Sequence, residues 1–179
     1  MPLNLLLFII LLAAFNLSVS LQIKLAKNSI KRSINYYLTV IIPQSAFLIA
    51  ILVLFIIYGN DSITCLVSGI LICAIGFLAR LKAFNDLKKS YNVSKEKMSN
   101  RVITNGIYSH VRHPLYLGTM LVYLGFCLII FSKAGMALYF IFLIPLFLAR
   151  IIEEEKEFAE NMEYQEYKKK TSRLIPFVY

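Results

Sequence analysis

The chain has 179 residues, a length typical of one domain. It is 59% hydrophobic with a mean hydropathy of +0.69, which excludes a water-soluble core of this size and indicates an integral membrane protein. The net charge is +9, and the basic residues are concentrated in the segments between apolar runs. This distribution favours anionic lipid headgroups over nucleic acid as the partner. The three cysteines lie inside apolar runs without metal-ligand spacing, so we expect no metal site.

Five apolar runs organise the chain. They are Leu3–Leu21, Tyr36–Tyr58, Ser62–Ala79, Leu115–Phe131 and Met136–Ala149. The last two are short and close together, so we predict that they form a tight antiparallel hairpin. The third run leads into a basic segment with apolar residues at helical spacing, so we predict that its helix continues beyond the membrane as an amphipathic extension.

Lysine and arginine are distributed unevenly around these runs. The segment after the first run holds four, the segment before the fourth run eight and the segment after the fifth run six, against Lys133 alone in the short turns. By the positive-inside rule we predict five spans, with the N-terminus outside and the C-terminus in the cytoplasm. The first run is preceded by no basic residue, so we interpret it as an uncleaved anchor.

The stretch Asn105–Gly118 is the polar segment that precedes the fourth run, and it contains both histidines of the protein. Pro114 suits the first position of a helix, and it favours extended backbone at His113. The N–H groups of such a helix start attract anions. Gly106 and Gly118 would allow close approach of a ligand or a neighbouring helix. Spacing alone leaves two interpretations, a ligand site or a loop that contacts phosphate headgroups.

An acidic cluster directly follows the fifth run, which sets it apart from the basic segments. Arg150 and Glu154 lie four residues apart and so share a helix face. A solvated, salt-bridged helix end would explain the cluster. Carboxylates near a basic loop would also suit a cationic ligand such as a sulfonium or ammonium group. The cluster comprises Arg150, Glu153, Glu154, Glu155 and Glu157.

These motifs resemble those of the isoprenylcysteine carboxyl methyltransferase family, whose wider superfamily includes membrane phospholipid N-methyltransferases. The motifs are Gly-Ile-Tyr from Gly106, Arg-His-Pro-x-Tyr-x-Gly from Arg112, Arg-x3-Glu-Glu from Arg150, Tyr-x2-Tyr from Tyr164 and Arg-x2-Pro from Arg173. The similarity covers about residues 80–179. The Phe-Gly that usually precedes Tyr-x2-Tyr in the family is absent, and Met162-Glu163 stands there instead.

The resemblance implies a methyltransferase embedded in the membrane that uses S-adenosylmethionine and takes a lipophilic substrate from the bilayer. Arg150 matches the arginine assigned to the substrate. His113 is a second candidate for a catalytic role, as a base, although we rank this behind positioning of the cofactor. The residues that match cofactor contacts are Asn100, Arg101, Val102, Ile103, Tyr108, His113, Pro114, Leu115, Tyr116, Glu154 and Glu155.

We therefore predict an all-α integral membrane fold of about five transmembrane helices, with a helical hairpin and a cytoplasmic C-terminal helix that forms the cofactor pocket. Residues 1–179 form a single domain, with three spans in 1–79 and the catalytic part in 80–179. Arg150 favours a carboxylate acceptor, which is ionised at neutral pH and needs no base. The alternatives are N-methylation of a phosphatidylethanolamine-type headgroup and a non-enzymatic lipid-binding or scaffold protein.

Overall fold

A computed structural model describes residues 6, 8–17, 42–58, 62–93 and 102–175. The described residues form helices, and one isolated parallel β-bridge joins Val111 to Ser172. The prediction of an all-α fold is thereby confirmed for this part of the chain. We number the helices α1 (Phe8–Leu17), α2 (Ile42–Tyr58), α3 (Ile63–Val93), α4 (Pro114–Ile130), α5 (Lys133–Glu157) and α6 (Met162–Lys170).

Two of the described helices are long and apolar enough to cross a membrane, Ile63–Leu87 within α3 and the whole of α5. Large apolar side chains remain exposed on both, among them Leu71, Ile75 and Phe142. Contiguous exposed apolar surface of this kind suits contact with lipid. The count of five spans stays a prediction, because only parts of the first two runs lie within the described residues.

Helix α3 continues without interruption from the apolar run into the basic segment and ends at Val93. The predicted continuation of the third helix is therefore confirmed, while its position beyond the membrane stays a prediction. The sequence predicts a polar loop over Asn92–Asn100, but Asn92 and Val93 are the last residues of the helix, and the rest of that stretch lies outside the described residues.

Helices α3 and α4 are packed against each other through two pairs of glycines, Gly76 with Gly118 and Gly69 with Gly125. A Cβ atom on Gly118 would lie 2.7 Å from the carbonyl oxygen of Gly76, and one on Gly125 would lie 2.7 Å from that of Gly69. The order of the contacts makes the two helices antiparallel. Only glycine allows this backbone approach, so the expected helix contact at Gly118 is confirmed.

Aromatic rings pack the other helices onto α4. The ring of Tyr123 has its centroid 5.6 Å from that of Phe15 in α1 and 5.7 Å from that of Phe47 in α2, in edge-to-face geometry. Phe126 is 5.3 Å from Phe8. Such pairs are favourable beyond the area they bury. Helix α4 thus lies at the centre of the bundle.

The hairpin between α4 and α5 turns at Phe131, whose φ of 48° is left-handed, and at Ser132, whose hydroxyl caps α5 by accepting from the N–H of Gly135. The hydroxyl of Tyr139 donates to the carbonyl of Met120 across the hairpin, at 3.0 Å. The predicted hairpin is present.

Helix α5 contains a π-helical turn at Tyr139–Leu143, directly before Pro145. Proline has no N–H and its ring crowds the preceding turn, which accounts for the wider turn. The helix then continues to Glu157, so the acidic cluster forms its last turns. The sequence predicts a charged helix that begins at Arg150, whereas in the structure Arg150–Glu157 is the end of the helix that contains the fifth apolar run.

Candidate functional site

The Arg-His-Pro motif begins α4 as the sequence predicts, with Pro114 at the first helical position. His113 is the N-cap at φ −121° and ψ 55°, which lies outside the extended region expected for it. Its backbone is paired with the chain beyond α6. The N–H of Arg112 donates to the carbonyl of Ser172 at 2.9 Å, and the N–H of His113 donates to that of Arg173 at 3.1 Å. This pairing brings Arg173, the first residue of the Arg-x2-Pro motif, directly beside the Arg-His-Pro motif.

A 3-10 turn at Gly106–Ser109 carries the Gly-Ile-Tyr motif. Gly106 has a φ of +64°, and a Cβ there would lie 2.1 Å from the carboxylate of Asp86. That carboxylate accepts a hydrogen bond from the N–H of Ile107 at 3.0 Å. The carbonyl of Tyr108 accepts one from the hydroxyl of Tyr167 at 2.6 Å. The turn is thus attached to α3 on one side and to α6 on the other.

Glu155 lies among three groups from two other parts of the chain. Its Oε1 is 3.0 Å from Nε of Arg112 and 3.3 Å from Nε2 of His113, and its Oε2 is 2.9 Å from Nη2 of Arg173. The Glu155 side chain is 6% exposed. We call these four residues the Glu155 cluster. Charge-assisted hydrogen bonds of this kind compensate for burying the carboxylate.

Arg112 has a second set of partners at the end of α6. Its guanidinium donates to the carbonyl of Lys168 at 3.2 Å and also to that of Thr171. These carbonyls lie at the C-terminal end of the helix, where acceptors lack intrahelical donors and a positive charge is favourable. Arg112 therefore links the end of α6 to the end of α5, and α6 packs here without the family's Phe-Gly pair.

Glu154 faces a different set of groups. Its Oε1 accepts a hydrogen bond from the hydroxyl of Tyr116 at 2.6 Å and is 3.3 Å from Nε of Arg150, while its Oε2 is 3.9 Å from Nδ1 of His113. The side chain is 28% exposed. Arg150 also contacts Glu153 at 3.3 Å.

Burial lowers the pKa of His113 to about 4, and this outweighs the opposite effect of the nearby Glu155 carboxylate. The neighbouring Arg112 and Arg173 act in the same direction as burial. The imidazole is therefore neutral at pH 7. A ring with so low a pKa is a weak base.

The structure brings the two predicted segments together, because His113 and Tyr116 contact Glu154 or Glu155. Pro114 is buried, Leu115 is half-buried and Tyr108 is buried beside α6. Val102 and Ile103 are half-buried in the segment before the Gly-Ile-Tyr turn. Asn100 and Arg101 lie outside the described residues.

Sequence reasoning missed two residues of this region, Asp86 and Arg80, and named Arg173 only as part of a motif. Arg80 donates to the hydroxyl of Thr119 and lies 5.4 Å from the centre of the Phe15 ring, within a candidate membrane span. It lies four residues after Gly76, on the face of α3 that packs on α4, and only the structure identifies that face. Asp86 has no periodic signal in the sequence.

Residues 64–164 match the family model for phospholipid methyltransferases. Three curated proteins named protein-S-isoprenylcysteine O-methyltransferase are similar to the chain. That of Saccharomyces cerevisiae is 33% identical over 126 residues, 68% of this chain and 53% of that protein. That of Schizosaccharomyces pombe is 30% identical over 115 residues, which cover 59% of this chain and 49% of that protein.

The protein from Xenopus laevis is 32% identical over 119 residues, which cover 63% of this chain and 41% of that protein. The chain thus spans about half the length of the curated relatives it matches, or somewhat less. No solved structure matches it.

Proposed function

The chain belongs to the phospholipid methyltransferase family, and from this premise we propose that it is a membrane enzyme that transfers a methyl group from S-adenosylmethionine to a lipophilic acceptor. The favoured acceptor is the carboxyl group of an isoprenylcysteine-like molecule. The names of the curated relatives support this choice.

One observation carries the proposal: the two motifs meet in a single polar site. Tyr116 and Glu154, which are 38 residues apart, are joined by a hydrogen bond of 2.6 Å, and the His113 ring lies beside both glutamates. This site lies where α4 begins and α5 ends, so it is next to apolar helices. A reaction between a polar cofactor and a lipophilic acceptor needs such a junction.

The residues present fit S-adenosylmethionine. Its sulfonium and ammonium groups are cationic and suit the partly exposed Glu154 carboxylate. Its carboxylate suits the N-terminal turn of α4. We propose that the pocket is lined by the residues Asn100, Arg101, Val102, Ile103, Tyr108, His113, Pro114, Leu115, Tyr116 and Glu154. When bound, the cofactor would supply an electrophilic methyl group.

The role proposed for Arg150 is to hold and orient the acceptor carboxylate. One of its present partners, Glu153, has a side chain that is 59% exposed, so this ion pair is weak and exchangeable. A carboxylate is ionised at pH 7, so the site needs alignment and exclusion of water more than a base. The low pKa of His113 agrees with a positioning role for that ring.

The test is methyl transfer by the purified protein in lipid nanodiscs, with radiolabelled S-adenosylmethionine and N-acetyl-farnesylcysteine. We expect label in the farnesylcysteine fraction that base releases as volatile methanol. Arg150→Gln should raise KM for the acceptor more than it changes the affinity for the cofactor.

A second candidate is N-methylation of a phosphatidylethanolamine-type headgroup, which the description of the matching family model favours. The same nanodiscs should then contain phosphatidylethanolamine. Label that is recovered in phospholipid, and that base does not release as volatile methanol, would establish this reading over the first. A wild-type protein without saturable cofactor binding would instead support a lipid-binding or scaffold role.

We also propose a multi-pass topology in which the N-terminus lies outside and the site faces the cytoplasm. The distribution of Lys and Arg supports it, since Lys133 alone lies in the short turns. Helix α5 places Lys133 and the site residues Arg150 and Glu154 at opposite ends of one candidate span.

A further inference from the structure

We propose that Glu155 is a positioning residue that fixes the proton of the His113 ring on Nε2. The ring then presents Nδ1, together with the Glu154 carboxylate, as a pair of acceptors for an ammonium group. The inference rests on the proposed function, because that ammonium group belongs to the amino-acid end of S-adenosylmethionine. It gives Glu155 a role different from the cofactor contact that the sequence implies.

The first step is that Glu155 directs both oxygens at protein groups. Oε1 accepts from Nε of Arg112, and Oε2 accepts from Nε and Nη2 of Arg173 at 3.2 and 2.9 Å. The side chain is almost fully buried. A carboxylate engaged in this way is better placed to hold its neighbours than to bind a ligand.

The second step concerns the tautomer of His113. Glu155 is paired with two arginines and is ionised, so its oxygens only accept hydrogen bonds. Nε2 of His113 is 3.3 Å from Oε1 of Glu155. Since Oε1 can only accept, Nε2 must be the protonated nitrogen of the ring. The ring is neutral at pH 7, which leaves Nδ1 with a lone pair.

The third step is the pairing of acceptors on the other side of the ring. Nδ1 of His113 lies 3.9 Å from Oε2 of Glu154. Two acceptors so close are favourable only when a donor lies between them. An ammonium group has three N–H donors and a positive charge, so it matches a lone pair beside a carboxylate.

Arg173 holds the arrangement from the chain beyond α6. Its side chain binds Glu155, and its carbonyl accepts the N–H of His113 at 3.1 Å. One residue therefore positions both the carboxylate and the backbone of the histidine. Loss of the Arg173 side chain should have the same effect as loss of the Glu155 charge.

The direct test is the tautomer of His113, read by NMR on full-length protein in micelles with 15N-labelled histidine and no cofactor. Only His110 and His113 contribute signals. We expect a protonated Nε2 and an unprotonated Nδ1 at His113. Glu155→Gln should move the ring toward protonation at Nδ1, because the Gln side chain has N–H donors. Glu163→Gln, at an exposed position in α6, is the matched control.

The binding test compares S-adenosylmethionine with an analogue that lacks the α-amino group, by calorimetry. Glu155→Gln should weaken binding of the cofactor about tenfold and leave binding of the analogue nearly unchanged. Arg173→Gln should repeat this pattern, and the double variant should lose no more than either single one. Equal weakening of both ligands would overturn the proposal, since a direct contact or general damage to the fold predicts that result.

The two tests separate this inference from the proposed function. If the wild-type protein binds no S-adenosylmethionine, the proposed function fails, and the NMR signals still report on Glu155. If the wild-type protein binds normally and the His113 signals are the same in Glu155→Gln, the positioning role is wrong and the proposed function stands.

Discussion

Glu154 and Glu155 are adjacent in sequence and identical in chemistry, yet they face different groups. Successive residues of a helix point about 100° apart, so one carboxylate meets Tyr116 and Arg150 while the other meets Arg112 and Arg173. The motifs pointed to both glutamates. They could not assign partners, because Arg112 and Arg173 lie in irregular segments whose positions depend on the whole fold.

The hydrogen bond from Tyr116 to Glu154 can be removed without removing the ring. We expect Tyr116→Phe to weaken S-adenosylmethionine binding about fivefold, since a hydrogen bond to a charged group is lost and the carboxylate becomes freer to move. Calorimetry measures this. Tyr139→Phe makes the same chemical change in the hairpin, where it should lower the melting temperature and leave the affinity unchanged. An unchanged affinity in Tyr116→Phe would contradict the assignment of Glu154.

The low pKa of His113 makes folding sensitive to acid. The folded pKa is about 4 against an ordinary 6.5, so the unfolded chain binds the proton more tightly between these values. Stability from this group is complete above pH 6.5 and falls as the pH drops toward 4, by about 2 kcal/mol at pH 5. Thermal unfolding of wild type and His113→Gln at pH 7 and pH 5 measures it. Between pH 7 and pH 5 the wild type should lose more stability than His113→Gln, while His110→Gln should behave like the wild type.

At the scale of helices, apolar periodicity predicted how α3 continues, and Pro114 indicated where α4 begins. The glycine at position 118 indicated a close contact, although the sequence could not identify Gly76 as the partner because the register between helices depends on their packing. Asp86 stayed unnoticed among basic residues. Its role depends on the left-handed Gly106, which only the folded turn reveals.

The glycine pairs predict a contrast between two substitutions. Gly118→Ala places a methyl group against the backbone of α3, with the closest carbonyl oxygen at 2.7 Å, so it should cost about 2 kcal/mol or more of stability. Gly135→Ala meets nothing closer than 3.4 Å and should be neutral or stabilising, since Ala favours helix. Melting temperatures in detergent report the difference. Equal melting temperatures for the two variants would show that α3 and α4 are not in this contact.

For the molecule as a whole, hydropathy and charge predicted the class and the orientation without reference to side-chain contacts. The predicted hairpin and the all-α class are observed. Two details could not be predicted: the π-helical turn before Pro145, and the continuation of α5 through the acidic cluster. A proline alone does not specify whether a helix kinks, ends or widens around it. The continuation of α5 depends on how its end is held by the Glu155 cluster.

The proposed topology is tested by cysteine labelling in a variant without native cysteines. The two variants are Lys133→Cys and Met162→Cys, both at exposed positions. Lys133 begins α5, and Met162 begins α6, which follows the other end of α5. In sealed cells a membrane-impermeant maleimide should label the first and not the second. Permeabilised cells should label both. The opposite pattern would reverse the orientation.

The glycine contacts between α3 and α4 also determine how far the Gly-Ile-Tyr turn lies from the apolar part of the bundle. They prevent α3 from sliding along the bundle, and Asp86, about 15 Å further along the same helix than Gly76, holds the Gly-Ile-Tyr turn. The height of the candidate site relative to the apolar helices is thus fixed by a length of rigid helix. Under the proposed function, acceptors would be selected by how far their lipid anchor lets them rise from the bilayer, in addition to the chemistry of their headgroup.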